Sequence, residues 1–147
     1  MRIIVAGGGS VGAQLASVLA GSGNEVVVVE VDASRAASLR ARETGGDSFE
    51  VVTGNACVAE ALEAAGALRA DVLVACTRSD EENLVISVLG KRQLEVPRVV
   101  ARVNDDANRW LFDATWGVDA AISQASALAS AIGGTPEAPP GPADGAR

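Results

Sequence analysis

An apolar run, Ile3-Ile4-Val5-Ala6, leads directly into Gly7-Gly8-Gly9-Ser10-Val11-Gly12, and that junction constrains the fold more than anything else in the chain. The glycines take the spacing G-x-G-x-x-G between an expected strand and an expected helix whose apolar residues include Val11, Leu15, Val18 and Leu19. A second strand, Val26 to Val29, then ends on Glu30, 18 residues past Gly12. Strand, glycine turn, helix, strand and acid in that order form the dinucleotide-binding fingerprint in its structural context. Gly7 permits the tight turn, Gly9 lets a pyrophosphate approach the backbone, and Gly12 lets the helix pack close to the strand. The helix start, Ser10 and Val11, offers unpaired N–H groups and a partial positive charge to phosphates. Glu30 sits where a carboxylate accepts hydrogen bonds from both ribose hydroxyls of an adenosine, a role that Asp32 can share or replace. Its charge would repel a 2′-phosphate, so NAD(H) or ATP/ADP is the expected ligand in preference to NADP.

Beyond the first crossover the chain repeats strand–helix units, the pattern of a parallel sheet covered on both faces. Strands are expected at 2–6, 25–31, 49–53, 70–76, 98–102 and 118–122. Helices are expected at 10–22, 33–43, 57–66, 80–94, 105–114 and 123–132. The fold class is therefore α/β: a Rossmann-type doubly wound six-stranded parallel sheet in three αβα layers, spanning residues 1–134. Gly21-Ser22-Gly23-Asn24 and Gly45-Gly46-Asp47 read as turns, and Ser79-Asp80-Glu81-Glu82 as a capping box. Four of the five prolines fall in residues 135–147, a stretch almost without large apolar residues that reads as a linker or disordered tail.

Composition removes several function classes. A formal charge of −7 argues against nucleic acid as a partner. There is no apolar run of the roughly 18 residues needed to cross a bilayer, so direct membrane insertion is not expected. Met1-Arg2 followed at once by a strand does not read as a signal peptide. Cys57 and Cys76 are too few for a disulfide framework and lack metal-ligand spacing; they fit reduced thiols in a cytoplasmic protein. The chain has no His and no Tyr, and Lys91 is its only lysine. Hydride transfer on this fold usually needs such a group beside the substrate, so the chain is expected not to be an enzyme. The alternative is an NAD-dependent oxidoreductase or a fragment of one, whose coenzyme site would look the same.

Ligands of doubly wound sheets sit outside the C-terminal strand ends. The candidates there are the polar residues of Gly54-Asn55-Ala56 after the third strand, Thr77-Arg78-Ser79-Asp80 after the fourth and Arg102-Val103-Asn104-Asp105 after the fifth. Asn55 is placed to bond an adenine edge, and Arg102 to offer a guanidinium to phosphate. Each also has a plain structural role open to it: Asn55 as a turn residue, Arg102 as partner of a nearby acid. Residues 108–112 with Trp116 concentrate both tryptophans, and residues 124–132 form an Ala-rich last helix, so these two segments are candidate interfaces.

Seven blocks then follow in order: Val5 to Gly12, Val29 to Asp32, Thr53 to Ala56, Arg69 to Thr77, Asp80 to Leu84, Val96 to Asn104 and Gly117 to Ser123. Together they resemble the N-terminal lobe of the Trk/Ktr potassium-transport regulators, the RCK or KTN domain, over residues 1–132. The resemblance implies a cytoplasmic nucleotide sensor at the inner face of the cell membrane, binding NAD(H) or ATP/ADP. It implies assembly as a homodimer or higher ring beneath a membrane potassium transporter or channel subunit. It places phosphates at Gly7, Gly9 and Gly12, a ribose at Glu30 and adenine beside Asn55. Thr77 and Arg102 would lie towards the phosphates or the second nucleotide half. The chain departs from the family at Ser10, where many members have Arg or Gln, and at Asn55, where many have Asp. The family's C-terminal lobe does not follow, which reads as a one-lobe member or a piece ending at the linker.

Overall fold

The computed structural model describes residues 1–42 and 48–134; the Gly45-Gly46-Asp47 turn and the 135–147 tail lie outside them. Six strands run parallel: β1 (Arg2–Ala6), β2 (Glu25–Glu30), β3 (Glu50–Thr53), β4 (Val72–Ala75), β5 (Arg98–Val103) and β6 (Ala120–Ser123). Their spatial order is β3-β2-β1-β4-β5-β6, which puts a switch in direction between β1 and β4. Helices α1 (Ser10–Gly21), α2 (Ala33–Arg40), α3 (Ala59–Ala64), α4 (Asp80–Val88) and α5 (Gln124–Ala131) fill the connections and the C-terminal flank.

The central strands are apolar on both sides because both faces are covered. Ile3, Val5, Val26 and Val28 pack with Ala13 and Ala16 of α1 and Leu39 of α2. Ile4, Val27, Val29, Leu73 and Val99 pack on the opposite face with Leu62 of α3 and Ile86 of α4. Each such aliphatic side chain contributes about 1.5–3 kcal/mol when fully buried. Helix α1 buries only small residues, Gly12, Ala13 and Ala16, and so lies close against the sheet. Val18, expected among its apolar residues, is exposed, while Val11, Leu15 and Leu19 are half-buried against the core.

The register determines which residues emerge together. Ala6 is level with Val29 and with Ala75, and Ala75 with Ala101. One position further on, Gly7, Glu30, Cys76 and Arg102 therefore share the C-terminal crest of the sheet.

Two expected helices are shorter or different in kind. The 80–94 helix is α only to Val88 and continues as a π turn, Leu89–Gln93. Gly90 in that turn lies against Leu73, where a β-carbon would come within 2.2 Å of Cδ2. The expected 105–114 helix is instead a 3-10 segment, Asp106–Leu111, followed by another at Ala114–Trp116. Asp105 and Asp113 each cap their segment by accepting a backbone N–H two residues on. Short Asx turns of this kind compete with a continuous α-helix.

Candidate functional site

A cleft of about 430 Å³ runs along the crest, within the range usual for small-molecule sites. It brings together Gly7, Gly9, Ser10, Val11, Glu30, Asn55, Ala56, Thr77 and Arg102 of the expected residues. Gly12 and Asp32 are not among its walls. Gly12 is the third residue of α1, and the Asp32 carboxylate caps α2 by accepting the Arg35 N–H at 2.7 Å.

The three motif glycines have different reasons to be glycine. Gly7 has φ +111°, and a β-carbon there would lie 2.7 Å from the Cys76 carbonyl oxygen. At Gly12 a β-carbon would lie 1.9 Å from the Gly7 carbonyl oxygen. Both are demanded by the fold itself. Gly9 has φ −68° and ψ −170°, extended backbone open to any residue, and a β-carbon there meets nothing within 4 Å. It is the N-cap of α1 and provides no side-chain cap, so the first N–H groups of the helix open onto the cleft. The space above Gly9 and the uncapped donors below it fit a phosphate.

Glu30 is buried and held by the protein. Oε1 accepts from the Gly8 N–H at 3.2 Å and from Arg35 Nη1 at 3.1 Å, and Oε2 accepts from the Asp32 N–H at 2.8 Å. A carboxylate has about four acceptor positions, so about one remains for a ligand hydroxyl, not the two that accepting both ribose hydroxyls would use. Arg35 also lines the cleft, a role that sequence reasoning missed. Its spacing of five from Glu30, in the first turn of α2, was the available signal.

On the β4–β5 side the polar groups are turned inward. Thr77 Oγ1 lies 2.8 Å from Asn83 Oδ1 and accepts the Ser79 N–H at 3.2 Å. The fully buried Asn83 accepts the Thr77 N–H at 2.9 Å and donates to the carbonyls of Thr77 and Arg102. Asp80 accepts the N–H groups of Asn104 and Asp105 and the side-chain amide of Asn108. Burial alone would raise its pKa, but these donors outweigh it and hold the carboxyl below its usual range. Sequence reasoning assigned Asp80 to the capping box and did not anticipate either clamp. The box is half formed: Ser79 Oγ accepts the Glu82 N–H at 3.3 Å, while Glu82 itself lines the cleft.

Asn55 Oδ1 accepts the Cys57 N–H at 2.9 Å, which closes an Asx turn and leaves the amide group as what Asn55 can present. Burial pushes the Cys57 thiol up, with Glu82 adding to the effect. Burial pushes Cys76 up as well, against the opposing influence of Arg102. Both thiols are therefore protonated near neutral pH and poorly suited to nucleophilic work. Arg78, exposed after β4 and among the polar residues expected there, also borders the cleft.

Sheet order, crest and glycine turn together define a Rossmann-type α/β domain with its cleft at the switch point. The TrkA-N domain pattern matches residues 3–124, and the chain belongs to that family. Over 132 residues it is 39% identical to the Trk system potassium uptake protein TrkA of Mycobacterium tuberculosis, covering 90% of this chain and 58% of that protein. The chain thus spans little more than half the length of that relative. The TrkA-N domain of the inner membrane protein ybaL from Escherichia coli superposes with a TM-score of 0.77 at 22% identity, covering 89% of this chain and 93% of that one. The GsuK channel bound to NAD superposes with a TM-score of 0.74 at 20% identity, over 90% of this chain and 23% of that one. GsuK bound to ADP gives 0.69 at 24% identity, over 90% and 32%. At these identities the structural likeness concerns the fold.

Proposed function

We propose that this chain is a nucleotide-sensing regulatory module of a potassium uptake system, binding NAD(H) or ATP/ADP in the crest cleft without transforming it. The observation that carries the reading is Gly9: nothing in the fold requires a glycine there, yet its missing side chain keeps the α1 N-terminus open. Phosphates would lie on the N–H groups of Ser10, Val11 and Gly12. The remaining acceptor position of Glu30 would take one ribose hydroxyl, and the Asn55 amide would face the adenine edge. Arg102, on the same crest, would meet the far end of the ligand. Protonated thiols and the lack of His, Tyr and cleft lysine support binding without chemistry.

The TrkA relative's name supports a role in potassium uptake, with a membrane transporter or channel subunit as partner. Among the described residues no helix is long and apolar enough to cross a membrane, so contact with the membrane would run through that partner at its cytoplasmic face. A homodimer or ring would use α5, none of whose residues is buried and whose Leu128 is 69% exposed. A ligand gates only through different affinities for two states, so nucleotide occupancy would act by changing how subunits meet.

The test is calorimetric titration with NAD, NADH, ATP and ADP in parallel. At least one is expected to bind below millimolar, and Gly9→Asp is expected to abolish that binding. Unchanged affinity in the variant would sink the site.

A further inference from the structure

Helix α4 turns one face to the crest cleft: Glu82 lines it, and so does Ile86, one turn further along the same face. As the third residue of α4 after its Ser79 cap, Glu82 would ordinarily complete the capping box by accepting the Ser79 N–H. Thr77 Oγ1 accepts that N–H instead, at 3.2 Å, which releases the Glu82 carboxylate from the helix end. Among the described residues that carboxylate accepts no hydrogen bond and forms no ion pair. The cleft thus has two carboxylates in contrasting states. Glu30 is buried and already accepts three donors, whereas Glu82 is exposed to the cleft and uncommitted.

The surroundings of Glu82 show what it can meet. Its charge reaches the Cys57 thiol, so it stands near the 55–57 turn. Asn55 Oδ1 is used by the Cys57 N–H, which leaves Asn55 only amide hydrogens to offer. Asn55 and Glu82 therefore supply one part of the cleft with a donor and an acceptor, beside the buried apolar Ala56 and Ile86. With phosphates on the α1 N-terminus and a ribose on Glu30, that part is the one left to the base. An adjacent donor and acceptor match the edge of adenine, whose N6 amine donates while N7 beside it accepts. Guanine presents O6 and N7 there, both acceptors, and hypoxanthine likewise carries O6. An ionised carboxylate has no hydrogen to give O6.

We infer that Glu82 is the base-selecting residue of the cleft: its carboxylate accepts a hydrogen bond from the exocyclic amine of adenine and disfavours purines with an oxo group in that place. This deepens the reading of the cleft as a nucleotide site and rests on it. An acid in the first turn of α4 also suits the helix dipole, as Asp80 and Glu81 do, so the test reads base discrimination, which a helix-end role would not move.

The test is calorimetry on the 147-residue chain with three ligand pairs that differ at the purine six position: ADP with IDP, ATP with ITP, and NAD with its hypoxanthine analogue. In whichever pair binds, the amino member is expected to bind about tenfold tighter, the scale of one charge-assisted hydrogen bond. Glu82→Gln, whose amide can donate as well as accept, is expected to bring that ratio close to one. Glu82→Lys, a donor only, is expected to invert it. Reading the ratio within one protein cancels any general loss of folded material, and the exposed position tolerates either side chain. If the oxo member binds as tightly as the amino member in the wild type, or the ratio survives both substitutions, the assignment is refuted while the nucleotide reading stands. If Glu82→Gln weakens NAD and its analogue equally and leaves ADP untouched, the carboxylate serves the second ribose and not the base. If no nucleotide binds, both readings fall together.

Discussion

The two halves of the sheet treat their polar groups in opposite ways. Around β1 to β3, the α1 N-terminus is uncapped, the space over Gly9 is open, and Arg42 lacks an acidic partner among the described residues. Around β4 to β6, Asp80 and Asn83 satisfy the backbone from within, and apolar side chains such as Leu128 and Ile122 face outward. The first half keeps helix donors in reserve, as a ligand site must. The second commits its buried Asp80 and Asn83 to its own backbone and reaches the cleft through residues at the strand ends such as Arg78 and Arg102. It leaves Leu128 and Ile122 exposed, as a docking face would. The difference teaches that ligand and partner need not compete for the same residues.

The sharpest way to break this contrast is at the glycines. Gly12→Ala forces a β-carbon against the Gly7 carbonyl, so unfolding in urea should show a loss of about 3 kcal/mol, at the upper end for overpacking. Gly9→Asp should do the reverse to stability, since Asp is a favoured N-cap, raising it by about 0.5 kcal/mol while removing nucleotide binding. Matching losses of stability at both positions would end the division of roles between them.

On the other side, Asp80→Ala leaves the Asn104 and Asp105 N–H groups without their acceptor, at a cost of about 2 kcal/mol by chemical denaturation. The pH dependence follows from the lowered carboxyl. Its contribution is complete above the ordinary aspartate range and is lost as pH falls through the lower folded value. Wild type should therefore lose stability more steeply than the variant in the acid range below about pH 4. Parallel acid profiles would remove Asp80 as a clamp.

The smallest effect is expected at α5. Leu128→Glu should leave stability within about 0.5 kcal/mol, as for an exposed site. Light scattering at high concentration should show the variant shifted towards monomer. A dimer unaffected by the change would move the interface elsewhere.

Much of the site was legible because it depends on local spacing. The glycine interval, the acid at the end of β2 and the uninterrupted apolar strands carry their own register, and register alone lines up Gly7, Glu30, Cys76 and Arg102. Arg78 was legible only as one of the polar residues after β4, and Arg35 was missed because its approach to the glycine loop depends on how the α2 crossover packs. Residues 105–114 misled for a related reason. Their apolar content suits a helix, but Asp80, 24 and 25 residues earlier, holds the Asn104 and Asp105 N–H groups and the chain turns in 3-10 segments instead. The charge balance around Glu30 was hidden too, because sequence shows the acid and not the donors that surround it.

The Asp80 clamp has a mechanical consequence. Arg78 stands two residues before it in the cleft wall; Asp80 grips Asn104, Asp105 and Asn108; and Asp106 and Arg109, on the same 3-10 segment, bond Ser126 of α5. A tug on the loop after β4 cannot stay local without snapping one of those links. The cleft and the outermost helix are thus joined like the two ends of a short lever, with its fulcrum on a single buried carboxylate.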